Sequence, residues 1–238
     1  MQGSLLKYGA RRLIRENAPK IILISVLFVI MTTVMSELEF RLPGISNAYQ
    51  RYMALVLEGQ FPNLSIFTTH FRPSGAVLAV MLYLLRPVAA AGMASYCLKT
   101  TVEQSGDYKD LLNGFNYFIK ILLIFLVTTL FTFLWLMLFI APGFVALYRY
   151  RQAYYILLEA PEKGALQCIR ESKRMMHGAK LELFLLDLSF IGWYLLDLMV
   201  VILIPTPFAL PLISIWLTPY MGLTHAAFYH KLVGKLAV

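Results

Sequence analysis

The sequence predicts an all-α protein, a polytopic transmembrane helical bundle of six spans arranged as three hairpins with both termini in the cytoplasm. Three observations lead there. Hydrophobic side chains make up 59% of the 238 residues and charged ones only 14%, against roughly a quarter charged in an ordinary soluble domain. Mean hydropathy is +0.69, and apolar runs of span length recur along the chain, as a hydrocarbon core about 30 Å thick requires of each crossing helix. Finally, Lys and Arg cluster in alternate connecting segments, as the positive-inside rule demands.

The spans fall at about 21–38, 75–98, 117–141, 143–158, 181–204 and 208–229. Basic residues Lys7, Arg11, Arg12, Arg15 and Lys20 precede the first run. The Ser36-Glu37-Leu38-Glu39 that follows it lacks a small-x-small cleavage pattern, so this span is expected to remain as an anchor. Residues 1–20, 99–120, 161–180 and 231–238 carry fifteen Lys and Arg, whereas 39–74 carries only Arg41, Arg51 and Arg72. The richer side is cytoplasmic by that count. The expected organisation is a basic cytoplasmic segment, 1–20, followed by one transmembrane bundle, 21–238.

Ala141-Pro142-Gly143 and Pro205 to Pro211 form the short outer turns of the second and third hairpins. The first hairpin has a longer outer loop, 39–74, in which Met53, Val56 and Leu57 share a helical face suited to the membrane interface. A cytoplasmic amphipathic helix is expected over 162–177, with Leu166, Ile169 and Met176 opposite Arg170, Lys173 and Arg174. The stretch from Leu5 to Arg15 has the same character. Both suit anionic lipid headgroups at the cytoplasmic face, where each basic residue gains about 1 kcal/mol. Cys97 and Cys168 fall on the reducing side and are expected to stay unpaired.

Chemistry is sought among ionisable residues within spans, because a charge at the centre of a membrane helix costs about 2.5–3.5 kcal/mol and needs a partner. Arg86, Arg149, Arg151, Asp187 and Asp197 are such residues. Counting rise along straight helices puts Arg151 and Asp197 at one depth, roughly 10 Å below the outer face. Tyr148, Arg151, Gln152, Tyr155 and Glu159 make a polar stripe, so Arg151 faces the interior with Asp197 as its expected partner, while Arg149 reaches the outer interface. The candidate binding residues are Arg86, Arg151, Asp197, Tyr148, Gln152 and Tyr155.

No His-Glu-x-x-His, Gly-x-Ser-x-Gly or phosphate-loop pattern occurs. His225 and His230 project in directions too different to share a metal. Asp187 and Asp197 are too far apart along a helix for paired-carboxylate catalysis. The expectation is a non-enzymatic protein without metal or cofactor that binds or moves a lipid, peptide or other amphiphile. Its partners are the bilayer and a possible membrane protein, with no nucleic acid. A structural or accessory role is the alternative: transporter partner, cell-envelope factor or peptide immunity protein.

Leu138-Phe-Ile-Ala-Pro-Gly143, Tyr148 and Tyr150, Arg170 through Gly178, Leu188 through Trp193, Pro219-Tyr220 and Ala227-Phe-Tyr229 follow in a characteristic order. This arrangement resembles the bacterial integral membrane proteins grouped as domain-of-unknown-function family 975, over about residues 75–232. The resemblance implies a six-span protein of the bacterial plasma (inner) membrane with no assigned reaction. Arg86 stands where that family tends to have Gly before the Pro of the second span, so a site built on Arg86 is particular to this chain. Among the matched pieces, Gly178 suits the end of the amphipathic helix. Ser189 with Gly192 suits a close helix contact, and the mid-span Trp193 calls for an internal partner for its ring N–H.

Overall fold

The computed structural model describes residues 2–61, 63–103, 106–203 and 211–236, and every regular element among them is helical. Two units are distinguished, Met1–Val29 with Pro87–Pro205 and Pro211–Val238 in one and Ile30–Arg86 in the other; the division falls within two long helices.

The helices are α1 (Gln2–Glu16), α2 (Ala18–Arg41), α3 (Ile45–Leu57), α4 (Ser65–Thr69), α5 (Pro73–Glu103), a 3-10 turn (Tyr108–Leu112), α6 (Asn113–Asn116), α7 (Phe118–Leu138), α8 (Ile140–Tyr150), α9 (Ala153–Glu159), α10 (Ala165–Met175), α11 (Lys180–Leu188), α12 (Ile191–Leu203) and α13 (Ser214–Leu236). Four stretches are long and apolar enough to cross a membrane: Ala18–Arg41, Pro73–Val102, Phe118–Leu138 and Lys180–Val200. They coincide with the first, second, third and fifth expected spans. The fourth is instead two short helices, α8 and α9, and the sixth corresponds to α13. Most of the turn expected between Pro205 and Pro211 lies outside the described residues.

In the smaller unit, α3 and α4 occupy the loop between α2 and α5, where Leu57 and Phe61 are exposed. Gly44 at the start of α3 has φ 81°, a left-handed conformation that only glycine adopts without strain. On the helix stems, the Arg86 guanidinium meets Glu39 through two contacts of 2.8 Å and donates to Ser36 Oγ at 2.7 Å. This bidentate pair ties α5 to α2.

The larger unit holds the continuous core. Between α5 and α7 the chain folds back through the 3-10 turn and α6. Asp110 is buried there and accepts from Lys99 at 2.5 Å, Asn113 at 3.0 Å and the Asp107 amide at 2.8 Å. Two glycines permit the approach: a Cβ at Gly92 would overlap the Leu111 carbonyl oxygen, and one at Gly114 the Val88 carbonyl oxygen. The α7–α8 hairpin turns at Phe139, whose backbone is extended, rather than at Ala141–Gly143. Pro142 sits in the first turn of α8, where a missing N–H costs little. Gly143 faces Leu136 across the hairpin with no room for a side chain.

The amphipathic helix is α10, and it packs on α7, α8, α9 and α13. Its inward face is Cys168, Ile169 and Ser172, followed by Met176, while Leu166, expected to share that face, is exposed. Core contacts therefore hold it in addition to any lipid surface. Gly178 has φ 82° and turns the chain toward α11, as expected. Helix α1 likewise runs along α13. There Lys7 lies 4.2 Å from the Phe190 ring centroid, and Arg11 donates to the Tyr220 hydroxyl at 3.0 Å. Cys97 and Cys168 are both buried and free. Among the described residues nothing lies within 4 Å of the place a Gly192 Cβ would take, so no close helix contact is formed there by them, and the Trp193 ring packs on Trp216 at 5.3 Å.

Replacing Gly92 by Ala should lower the unfolding midpoint of the detergent-solubilised protein by the equivalent of about 1–3 kcal/mol, since backbone must move to admit the methyl group. Gly9→Ala, in open space on α1, should leave it unchanged or raise it. A second expectation concerns α10, where Lys163 donates to Glu171 at 2.7 Å. That hydrogen bond holds the Glu171 carboxyl below its usual range and raises the Lys163 ammonium. A depressed carboxylate stabilises the fold at neutral pH, and the stabilisation disappears as pH falls through the lowered value. The difference in Tm between wild type and Glu171→Gln should therefore shrink as pH falls below about 4.

Candidate functional site

The break between α8 and α9 falls at Arg151 and Gln152. Interrupting a helix inside the bundle frees backbone groups that must find partners. Ser172 of α10 satisfies two of them: its hydroxyl donates to the Arg149 carbonyl at 2.9 Å and accepts from the Gln152 amide at 3.2 Å. Ser172 and Gln152 are both buried. The bend is thus fixed by a side chain from another helix, and it directs Arg151 away from the axis that a straight span would have.

Arg151 does not pair with Asp197. Its Nη1 lies 3.6 Å from Asp187 Oδ2, while His225 Nε2 lies 2.7 Å from Asp187 Oδ1. Asp197 is committed elsewhere: it is buried and accepts from the Ile213 amide at 3.0 Å and from the Ser214 hydroxyl at 2.5 Å, at the start of α13. A carboxylate there satisfies otherwise open N–H groups and complements the positive end of the helix dipole. Farther along the same helix pair, Glu182 accepts from Lys231.

Two cavities meet at this group. One of about 670 Å³ is bounded by α5, α7, α8 and α9, with Ala90, Ala94, Thr128, Thr132 and Phe144 among its walls. The other, of about 350 Å³, includes Phe28, Tyr194, Ser214 and Thr218. Arg151, Tyr155 and His225 line both. The Arg151 side chain remains 44% exposed, and Asp187 is 18% exposed. The walls are predominantly apolar and carry Arg151 and His225 as their basic groups, a combination that suits a molecule with a hydrocarbon part and an anionic part.

Of the six candidates from the sequence, Arg151, Tyr148 and Tyr155 line the larger cavity. Tyr155 stacks on Tyr229 at 5.3 Å, and the Tyr229 hydroxyl donates to Glu159 at 2.6 Å. Gln152 is enclosed, with its Oε1 lacking a hydrogen-bond partner, and lines neither cavity. Arg86 is held by Glu39 and Ser36, and Asp197 by the start of α13. Arg149, expected at the outer interface, has its Nε enclosed without an acceptor among the described residues. The sequence reading missed Asp187 as the partner of Arg151, His225 as a member of the group, and Ser172 as its support. The charge of Asp187 within an apolar run was a usable signal; the hydroxyl of Ser172, 23 residues from its partner carbonyl at Arg149, was not.

A double-mutant cycle tests the pairing. Arg151→Ala and Asp187→Ala should show a coupling of about 0.5–3 kcal/mol in unfolding stability, whereas Arg151→Ala and Asp197→Ala should add to within about 0.5 kcal/mol.

No curated protein and no solved structure matches the chain. A family model does match, over residues 136–235, and this stretch contains Arg151, Asp187 and His225 but not Arg86. Over those residues the chain is similar to the family described as protein of unknown function, DUF975.

Proposed function

We propose that this is a multi-pass membrane protein that binds an amphiphile with an anionic headgroup, the headgroup on Arg151 and the apolar part against the walls of the larger cavity. The observation that carries the reading is the half-exposed Arg151 guanidinium at the junction of two cavities, facing its carboxylate at 3.6 Å. At that spacing the ion pair neutralises charge but leaves N–H donors open, and a planar guanidinium suits phosphate, sulfate or carboxylate. Ala90, Ala94, Thr128 and Phe144 offer the apolar contact.

The topology that goes with this reading is six spans with both termini cytoplasmic. Helices α8 and α9 together make one bent crossing and α13 makes the last. Fifteen Lys and Arg on one side against three on the other support the orientation. The resemblance to bacterial membrane proteins supports an inner-membrane location. Lys173 and Arg174 in the last turn of α10 suit anionic headgroups at the cytoplasmic face. The protein acts by binding or moving its ligand rather than by transforming it.

Native mass spectrometry of gently solubilised protein tests the site. Wild type should retain a defined small molecule or lipid, and Arg151→Gln should lose at least about tenfold of that occupancy, the worth of one charge-assisted hydrogen bond. Arg86→Gln, which acts on a different ion pair, should keep it. An identical nonspecific lipid ladder in all three would overturn the reading.

A further inference from the structure

Asp187 of α11 has two basic neighbours, and they differ in how firmly they are held. His225 Nε2 sits at hydrogen-bond distance from Asp187 Oδ1, 2.7 Å, while Arg151 Nη1 stands off at 3.6 Å from Oδ2. With a neutral imidazole the three side chains sum to no net charge. An anion on Arg151 would leave the group with one negative charge inside a largely apolar enclosure, an arrangement that low-dielectric surroundings disfavour. One proton on the His225 Nδ1 restores neutrality, while Nε2–H keeps donating to Asp187 along the hydrogen bond already formed.

We infer that anion binding at Arg151 is coupled to uptake of one proton by His225, so that the site takes its anionic ligand electroneutrally. This rests on the reading of the cavities as an anion site. The proton comes from water and forms one N–H bond on the imidazole; no other bond changes. The geometry suits the coupling because His225 lines both cavities together with Arg151, yet its side chain is only 12% exposed. The proton is therefore sensed by the bound anion and only weakly screened by water.

The other groups around His225 do not substitute for it. From α11 comes Asp187, and from the break between α8 and α9 comes Arg151; Tyr148 and Tyr155 project from α8 and α9. The Phe190 ring lies 6.5 Å from the imidazole and carries Lys7 of α1 on it, while Tyr194 of α12 reaches the smaller cavity. Helix α5 offers alanines, Met93 and, beside Gly222, the buried thiol of Cys97, and α7 offers threonines and apolar side chains. Of these, His is the group whose ordinary titration falls near neutrality.

Isothermal titration calorimetry with decanesulfonate, whose headgroup stays ionised, decides the matter in two buffers of different ionisation heat. Wild type should take up close to one proton per decanesulfonate, and its affinity should fall toward tenfold per pH unit above the ordinary histidine range. His225→Gln should bind with equal heats in both buffers and an affinity independent of pH; Arg151→Gln should not bind. Binding by wild type with no proton uptake and no pH dependence would overturn the coupling and leave the anion site standing. Uptake that persists in His225→Gln would overturn its assignment to His225. Failure of wild type to bind decanesulfonate would overturn both the coupling and the reading it rests on. If His225→Gln does not fold, the two-buffer comparison on wild type still decides whether a proton is taken up.

Discussion

Three carboxylates along α11 and α12 each find their partner on α13: Asp197 with Ser214 and the Ile213 amide, Asp187 with His225, and Glu182 with Lys231. Moving down one helix corresponds to moving up the other by nearly the same number of residues, as antiparallel packing requires. This ladder is the constraint on which the larger unit depends. Apolar side chains in a bilayer give little preference for one register over another, because lipid tails are as apolar as leucine. A slide by one turn would separate all three carboxylates from their partners, and a stranded charge in hydrocarbon costs about 2.5–3.5 kcal/mol on insertion scales. Charge thus supplies the register that hydrophobicity cannot.

Among the described residues, the Asp187 rung alone has two basic neighbours, and the second depends on a break in another helix. Arg151 leaves the α8 axis where Ser172 holds the Arg149 carbonyl and the Gln152 amide. Helix α10 is therefore more than a surface element. Its buried Ser172 and Cys168 make it part of the core, and its position decides where Arg151 points. The cavity follows from the same bend together with small side chains opposite, Ala90 and Ala94 on α5 beyond Pro87.

Much of this was legible in the sequence. Helix-length apolar runs locate four spans, and the stripe of Tyr148, Arg151 and Tyr155 identifies residues that line one cavity. The pairing of Arg151 with Asp197 failed for a definite reason: it counted a constant rise from an outer turn at Gly143. The α7–α8 turn falls at Phe139 instead, so Arg151 lies four residues farther from it than that count allows, and the start of α13 at Ser214 places donors over Asp197. Depth arithmetic depends on where the turn falls, whereas a face assignment over two turns does not. Leu166 falls on the outer side of α10 for a different reason: the inward face is set by contacts with α7 and α9, not by hydrophobicity alone.

Arg86 and Arg151, two of the three arginines expected within spans, make the final contrast. Arg86 meets Glu39 through two contacts at 2.8 Å and adds a bond to Ser36, so its planar fork is spent on side chains already present. Arg151 faces a carboxylate that is itself shared with histidine, at a distance beyond hydrogen bonding. A bidentate pair in low dielectric is hard to part, because breaking it leaves a buried charge unmatched. A looser pair loses less when a ligand anion takes over the guanidinium, especially where a neighbouring imidazole can adjust the charge. Of the two, only Arg151 retains the donors and the space to recognise something outside the chain.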